Sequence, residues 1–159
     1  VPLIITAAGM FFFYAGINLV YSFTGIILAH VALATPFVVI TVTATLVGFD
    51  MNMVKASQSL GARPVRTFFK VIMPLILPGV ISGALFAFIT SFDEVVIVMF
   101  MASLDQLTIP KQMWAGIRQE ISPVILCMAT CLVILSILLL TTVELLRRRS
   151  EKLRGIKSR

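Results

Sequence analysis

Two adjacent carboxylates, Asp93 and Glu94, interrupt a stretch that is otherwise uncharged from Leu75 to Ala102. A carboxylate among apolar neighbours is costly unless it meets a cation or a hydrogen-bond donor. Two chemistries answer that need. An acidic pair on a solute path draws a cationic solute. Alternatively, Ser91-Phe92-Asp93-Glu94 has the Ser-x-x-Glu form of a capping box, which predicts a helix break near Thr90 and a restart at Ser91. For Asp93 the two readings stand level, and for Glu94 capping comes first. His30, the one histidine, could line the same path or sense pH. A lone histidine on an apolar helix more often bonds a neighbouring helix, and we read it that way first.

No reaction centre accompanies these groups. There is no G-x-x-x-x-G-K-[ST] loop for nucleotide phosphates, no H-E-x-x-H and no nucleophile elbow. Cys127 and Cys131 lie four apart on one helix face, which is not a metal spacing, and we read them as small packing residues. Neither enzyme chemistry, nor a metal, nor a cofactor is implied.

The elements that must hold these residues are membrane helices. Of the 159 residues 59% are hydrophobic and only 13% charged, against about a quarter charged in a soluble domain. The mean hydropathy is +1.06. The net charge of +6 is no nucleic-acid signal, because the cations sit only in loops and the tail. Four apolar spans are expected, from about Pro2 to Val20, Ile26 to Val47, Leu75 onward, and Val124 to Leu146. The third carries Gly79-x-x-x-Gly83-x-x-x-Ala87, a small-residue packing seam. Ser122 and Pro123 form an N-cap and first-turn pair for the last span. Val1 is not a start Met and opens inside an apolar run, so we expect a longer chain and missing N-terminal helices.

The chain is organised around Asp50 to Gly79. This stretch holds four of the thirteen basic residues, Lys55, Arg63, Arg66 and Lys70, against one acid, Asp50. Met51 to Leu60 can form a short helix with Asp50 or Asn52 as N-cap and Gly61 as its stop. Pro64 suits a first helical position. Beyond it Val65, Phe68, Phe69 and Ile72 share one face and Arg63, Arg66 and Lys70 another. The spacing predicts a helix, a glycine turn and an amphipathic helix, with Pro74 and Pro78 opening the next span.

This stretch resembles the cytoplasmic EAA loop of binding-protein-dependent ABC transporter permeases, the MetI-like family. Lys55-Ala56-Ser57 stands where the family has Glu-Ala-Ala, Gly61 is the loop glycine, Leu60-Gly61-Ala62 matches the commonest form around it, and Met73-Pro74 is the apolar-Pro ending. Lys55 for the acid and Ser57 for the second alanine are departures, so no contact that needs a carboxylate at position 55 is available. The resemblance covers the whole chain. It lies nearest the spermidine/putrescine branch, through Ala29-His30, Thr35-Pro36-Phe37-Val38-Val39, Gly48-Phe49-Asp50 and Ser91-Phe92-Asp93-Glu94.

The resemblance implies an all-α, multi-pass permease core over residues 1–159, N-terminally incomplete, in a bacterial inner membrane. It implies a second permease subunit, an ATPase dimer that grips Lys55 to Arg63, a periplasmic solute-binding protein, and a polyamine as solute. Iron and phosphonate importers are related alternatives. The plain alternative for the 50–73 loop is attraction to anionic lipid, which explains its charges but not its glycine turn. A different class again is a membrane anchor or remnant that transports nothing.

Charge sets the orientation. The 50–73 loop has four cations, the 103–120 loop two, and the 147–159 tail seven. Lys and Arg stay on the cytoplasmic side. Loop and tail are two spans apart, so parity puts both there and leaves residues 103–120 outside. Pro110 and Trp114 would then face a binding protein, with an interfacial anchor as the equal alternative for Trp114.

Overall fold

The structure, a computed structural model, describes residues 2–119 and 122–153. All regular structure among them is helical. Three helical stretches are long and apolar enough to cross a membrane: Phe23–Val47, Pro64–Phe92 and Pro123–Leu145. Their large apolar side chains are widely exposed, Phe37, Val39, Ile40, Phe86, Leu126 and Leu138 among them. Lipid or another helix covers such surfaces in a membrane.

The first expected span is shorter than its apolar run. Helix α1 covers Leu3–Gly16, ~21 Å at 1.5 Å per residue, against a hydrocarbon core of ~30 Å. Asn18 and Tyr21 adopt left-handed backbone with φ of 55° and 60°, so the chain turns before Val20. Ser22 accepts from the Gly25 amide at 3.0 Å and donates to the Leu19 carbonyl at 2.7 Å. That starts α2, Phe23–Val47, three residues earlier than expected.

The chain forms two compact units. One contains residues 1–34 and 88–142. Its core is Ala7, Tyr14, Ala29, Ile97 and Met101, where α1 lies against α6, Val96–Met101. Tyr21 donates its amide to the Met101 carbonyl at 2.9 Å, and Gln106 Nε2 donates to the Tyr21 carbonyl at 3.3 Å. The expected 103–120 loop contains a helix, α7, Ile109–Gln119.

The other unit contains residues 35–87 and 143–159. Here α3, Met51–Ser59, packs on α4, Pro64–Thr67. A π turn, Phe68–Ile72, leads into α5, Met73–Phe92. The helix is therefore unbroken from Pro64 to Phe92, where Pro74 and Pro78 were expected to open a new span. Proline removes an amide donor and crowds the preceding turn. The π turn, whose Met73 amide reaches back to the Phe68 carbonyl, lets the helix pass Pro74 without ending. A Cβ on Gly79 would overlap Thr45 Oγ1, and one on Gly83 would lie 3.1 Å from Val38 Cα. These two glycines let α5 close on the second half of α2, as the small-residue stripe suggests.

The last helix, α8, is Pro123–Leu153, with Ser122 Oγ accepting from the Val124 amide at 3.2 Å. Cys127 and Cys131 are exposed on it, not packed as expected. Of the basic tail, residues up to Leu153 are helical, and Arg148 pairs with Glu144 at 2.8 Å. Residues 154–159 lie outside the described ones, as does the Glu120 of the second loop.

Candidate functional site

Two regions carry the residues singled out in the sequence. The first is the elbow formed by α3, its glycine turn and α4. Asp50 accepts from the Asn52 amide at 2.9 Å and caps α3. At the other end the Gly61 amide bonds the Gln58 carbonyl at 2.9 Å and the Ala62 amide bonds the Ser57 carbonyl at 3.1 Å. With Gly61 at φ +78°, this pair of bonds is a Schellman motif, which ends a helix and reverses the chain in a fixed geometry. Pro64 then takes the first position of α4.

One contact in the elbow was not legible in advance. Ser57 Oγ and Thr67 Oγ1 share a hydrogen bond of 3.0 Å, and Thr67 is 2% exposed. It ties α3 to α4 across ten residues. Ser57 is one of the two positions that depart from the triplet of the resembling loop, and its side-chain hydroxyl makes a bond that an alanine could not. Lys55, Ala56, Leu60, Gly61 and Arg63 are exposed, Ser57 and Ala62 half-buried. Pro74 lies within α5, two turns beyond Thr67. The elbow is thus a short exposed helix fixed by backbone and hydroxyl bonds to the start of a membrane-length helix.

The second region is the acidic break between α5 and α6. Helix α5 runs through Ser91 to Phe92 and α6 begins at Val96. The break comes later than the capping box predicts, because the Ser91 hydroxyl is engaged elsewhere, with His30 Nδ1 at 2.7 Å. The cap is instead Glu94. Its Oε1 accepts from the Ile97 amide at 2.7 Å, and the residue is 6% exposed. His30 therefore bonds a neighbouring helix through Ser91, while its Nε2 is buried and unpartnered among the described residues.

Asp93 is exposed. It lines a cavity of about 410 Å³ with Phe92, Trp114, Met113, Leu132 and Ser136, formed by the end of α5, α7 and α8. The structure brings Asp93 and Trp114 to one cavity, a juxtaposition their separation in sequence conceals. Glu94 and His30 do not line it. Arg118 stands 5.8 Å over the Trp114 ring, within reach of a cation–π contact. Apolar walls with one carboxylate and two aromatic rings, Phe92 and Trp114, suit an alkyl chain that ends in a cation.

The family described as "Binding-protein-dependent transport system inner membrane component" matches residues 1–152. The chain is similar to the spermidine/putrescine transport system permease protein PotC of Haemophilus influenzae, 31% identical over 150 residues, which are 94% of this chain and 58% of that one. It is 29% identical over 151 residues to PotC of Escherichia coli K12, covering 95% of this chain and 57% of the relative. It is 35% identical over 103 residues to the putrescine transport system permease protein PotI of the same organism, covering 65% and 37%. The chain thus spans somewhat under three fifths of the length of the PotC proteins it matches.

Proposed function

The chain belongs to the inner membrane components of binding-protein-dependent transport systems, and on that premise we propose that it is a permease subunit of an ATP-driven importer whose solute is a polyamine. It would work with a second permease subunit, a dimer of ATPases and a solute-binding protein outside the membrane. The elbow and the C-terminus would face the cytoplasm, and α7 the binding protein.

The observation that carries this reading is the construction of the elbow. Helix α3 is exposed and presents Lys55. It is bonded at both ends, and Ser57 fastens it to Thr67. From Pro64 the helix continues unbroken to Phe92. A groove on an ATPase that grips α3 would therefore displace a rigid lever, and the displacement would enter the apolar span without a flexible joint. Energy from nucleotide hydrolysis reaches a chain with no nucleotide loop of its own in this way. The Schellman turn and the Ser57–Thr67 bond favour this over a basic loop held only by anionic lipid, which needs neither. A membrane anchor that transports nothing needs no such lever.

The solute reading rests on the similarity to spermidine/putrescine permeases and on the Asp93 cavity. A polyamine carries ammonium groups on an alkyl chain. In the cavity the carboxylate would take an ammonium group, while Phe92 and Trp114 would cover methylenes. Glu94 is committed to the Ile97 amide and would shape the path without touching solute. Asp93→Asn keeps the side-chain volume and removes the charge. Uptake of putrescine by cells carrying it is expected to fall about tenfold, the size of one charge-assisted hydrogen bond, at unchanged protein level. Unchanged uptake would remove Asp93 from the path.

The decisive experiment measures ATP hydrolysis by the complex reconstituted with its ATPase and binding protein, with and without spermidine or putrescine. Stimulation by a polyamine is the expected result. An ATPase that associates but ignores polyamines would keep the importer and discard the solute. Failure of any ATPase to associate would overturn the coupling role of the elbow.

A further inference from the structure

The inner crease of the elbow is a cavity of about 570 Å³ between α3 and the start of the long helix. Its walls include Met53, Leu60 and Val71 on the apolar side and Ser57, Arg66 and Lys70 on the polar side. Arg66 and Lys70 are four apart on one helix face, and neither is paired with a carboxylate among the described residues. The one carboxylate of the 50–73 stretch, Asp50, is spent on the α3 cap. Two unpaired cations therefore share a concave surface with a hydroxyl, which is a complement for a phosphate group.

Depth identifies what would present that phosphate. The helix is unbroken from Pro64 to Phe92, 29 residues or ~43 Å. A hydrocarbon core of ~30 Å takes about 20 of them. Lys70 is the last charged residue before the uncharged run from Val71 to Phe92, and that run is long enough to fill the core. Arg66 and Lys70 then stand in the headgroup layer. Phe68 and Phe69, both exposed, occupy the same turn of helix and would lie against acyl chains. We infer that the crease between α3 and α4 binds the phosphate of an anionic phospholipid through Arg66 and Lys70. Lys55 does not line the crease, so lipid there is compatible with a partner that grips the Lys55 side of α3. The inference does not depend on the identity of the solute.

The test is native mass spectrometry of the assembled complex, extracted from membranes with phosphatidylglycerol as the anionic probe and phosphatidylcholine as the neutral one. Retained phosphatidylglycerol is expected to fall about fivefold for each of Arg66→Gln and Lys70→Gln, to survive Arg66→Lys, and to be unaffected by Lys55→Gln, a cation outside the cavity. Inorganic phosphate added at constant ionic strength is expected not to displace it. Equal retention by wild type and the Arg66→Gln, Lys70→Gln double variant would overturn the inference. So would an equal loss in Lys55→Gln, which would mean a diffuse charge effect. Displacement by inorganic phosphate would make the crease a site for a free anion and overturn the lipid.

Discussion

Among the described residues two helices have a first-turn amide bonded by a carboxylate, and the surroundings make the two caps unlike. Asp50 caps α3 at an exposed position. Water stands ready to replace it at the free amide, and the helix it starts is nine residues long with no buried side chain. Glu94 caps α6 from a position only 6% exposed, and Ile97, whose amide it accepts, has no exposed surface. Nothing but protein can replace it there. The elbow is held by local backbone chemistry and is soft at each single bond. The acidic break is held by packing and by one buried bond, from the Ile97 amide to Glu94. The exposed elbow and the buried joint between α5 and α6 thus have opposite constructions.

That contrast can be broken from the buried side first. Glu94→Ala strands the Ile97 amide among apolar neighbours and empties the side-chain volume, at a cost of about 3 kcal/mol. The complex is expected to lose most of its yield and to melt at lower temperature, while Glu94→Gln, which keeps an acceptor, recovers most of both. A Glu94→Ala complex of normal stability would show that the bond is dispensable. On the elbow the largest effect belongs to Gly61→Ala. Its left-handed backbone costs a residue with a Cβ about 1–2 kcal/mol, and coupling of hydrolysis to uptake should weaken while insertion proceeds. Ser57→Ala removes the tie to Thr67 and costs about 1 kcal/mol. It should appear as faster hydrogen exchange at α3 with membrane helices unaffected. Smallest is Asp50→Ala, about 0.5–1 kcal/mol of cap, which should be recovered by Asp50→Ser. An Asp50→Ala effect as large as that of Glu94→Ala would erase the distinction between the two starts.

What the sequence disclosed follows the same line. The ends of α3, the Gly61 turn and the Pro64 start were legible because each is determined within four residues by a capping oxygen, a left-handed position or a missing amide. The seam at Gly79 and Gly83 was legible as a stripe, though not which helix it meets. The acidic break was misplaced because Ser91 satisfies its hydroxyl with a residue 61 positions away, and no local pattern records that. The early end of α1 rests on Asn18 and Tyr21 adopting backbone that glycine usually takes. The passage of the helix through Pro74 depends on a π turn, a structure with no sequence signature. The shared cavity of Asp93 and Trp114 is likewise a product of tertiary packing alone.

The π turn at Phe68–Ile72 also sets an angle. A π turn takes up about one residue more than an α turn, and each residue of an α-helix advances the azimuth by about 100°. The direction in which α3 points around the axis of the long helix is therefore offset by about that much from what an uninterrupted α-helix would dictate. Removing one residue between Phe68 and Ile72 would leave the apolar run beyond Met73 in place and swing α3 through roughly a quarter of a circle. The azimuth of α3 is thus encoded separately from the apolar span that follows it, in the five residues Phe68–Ile72.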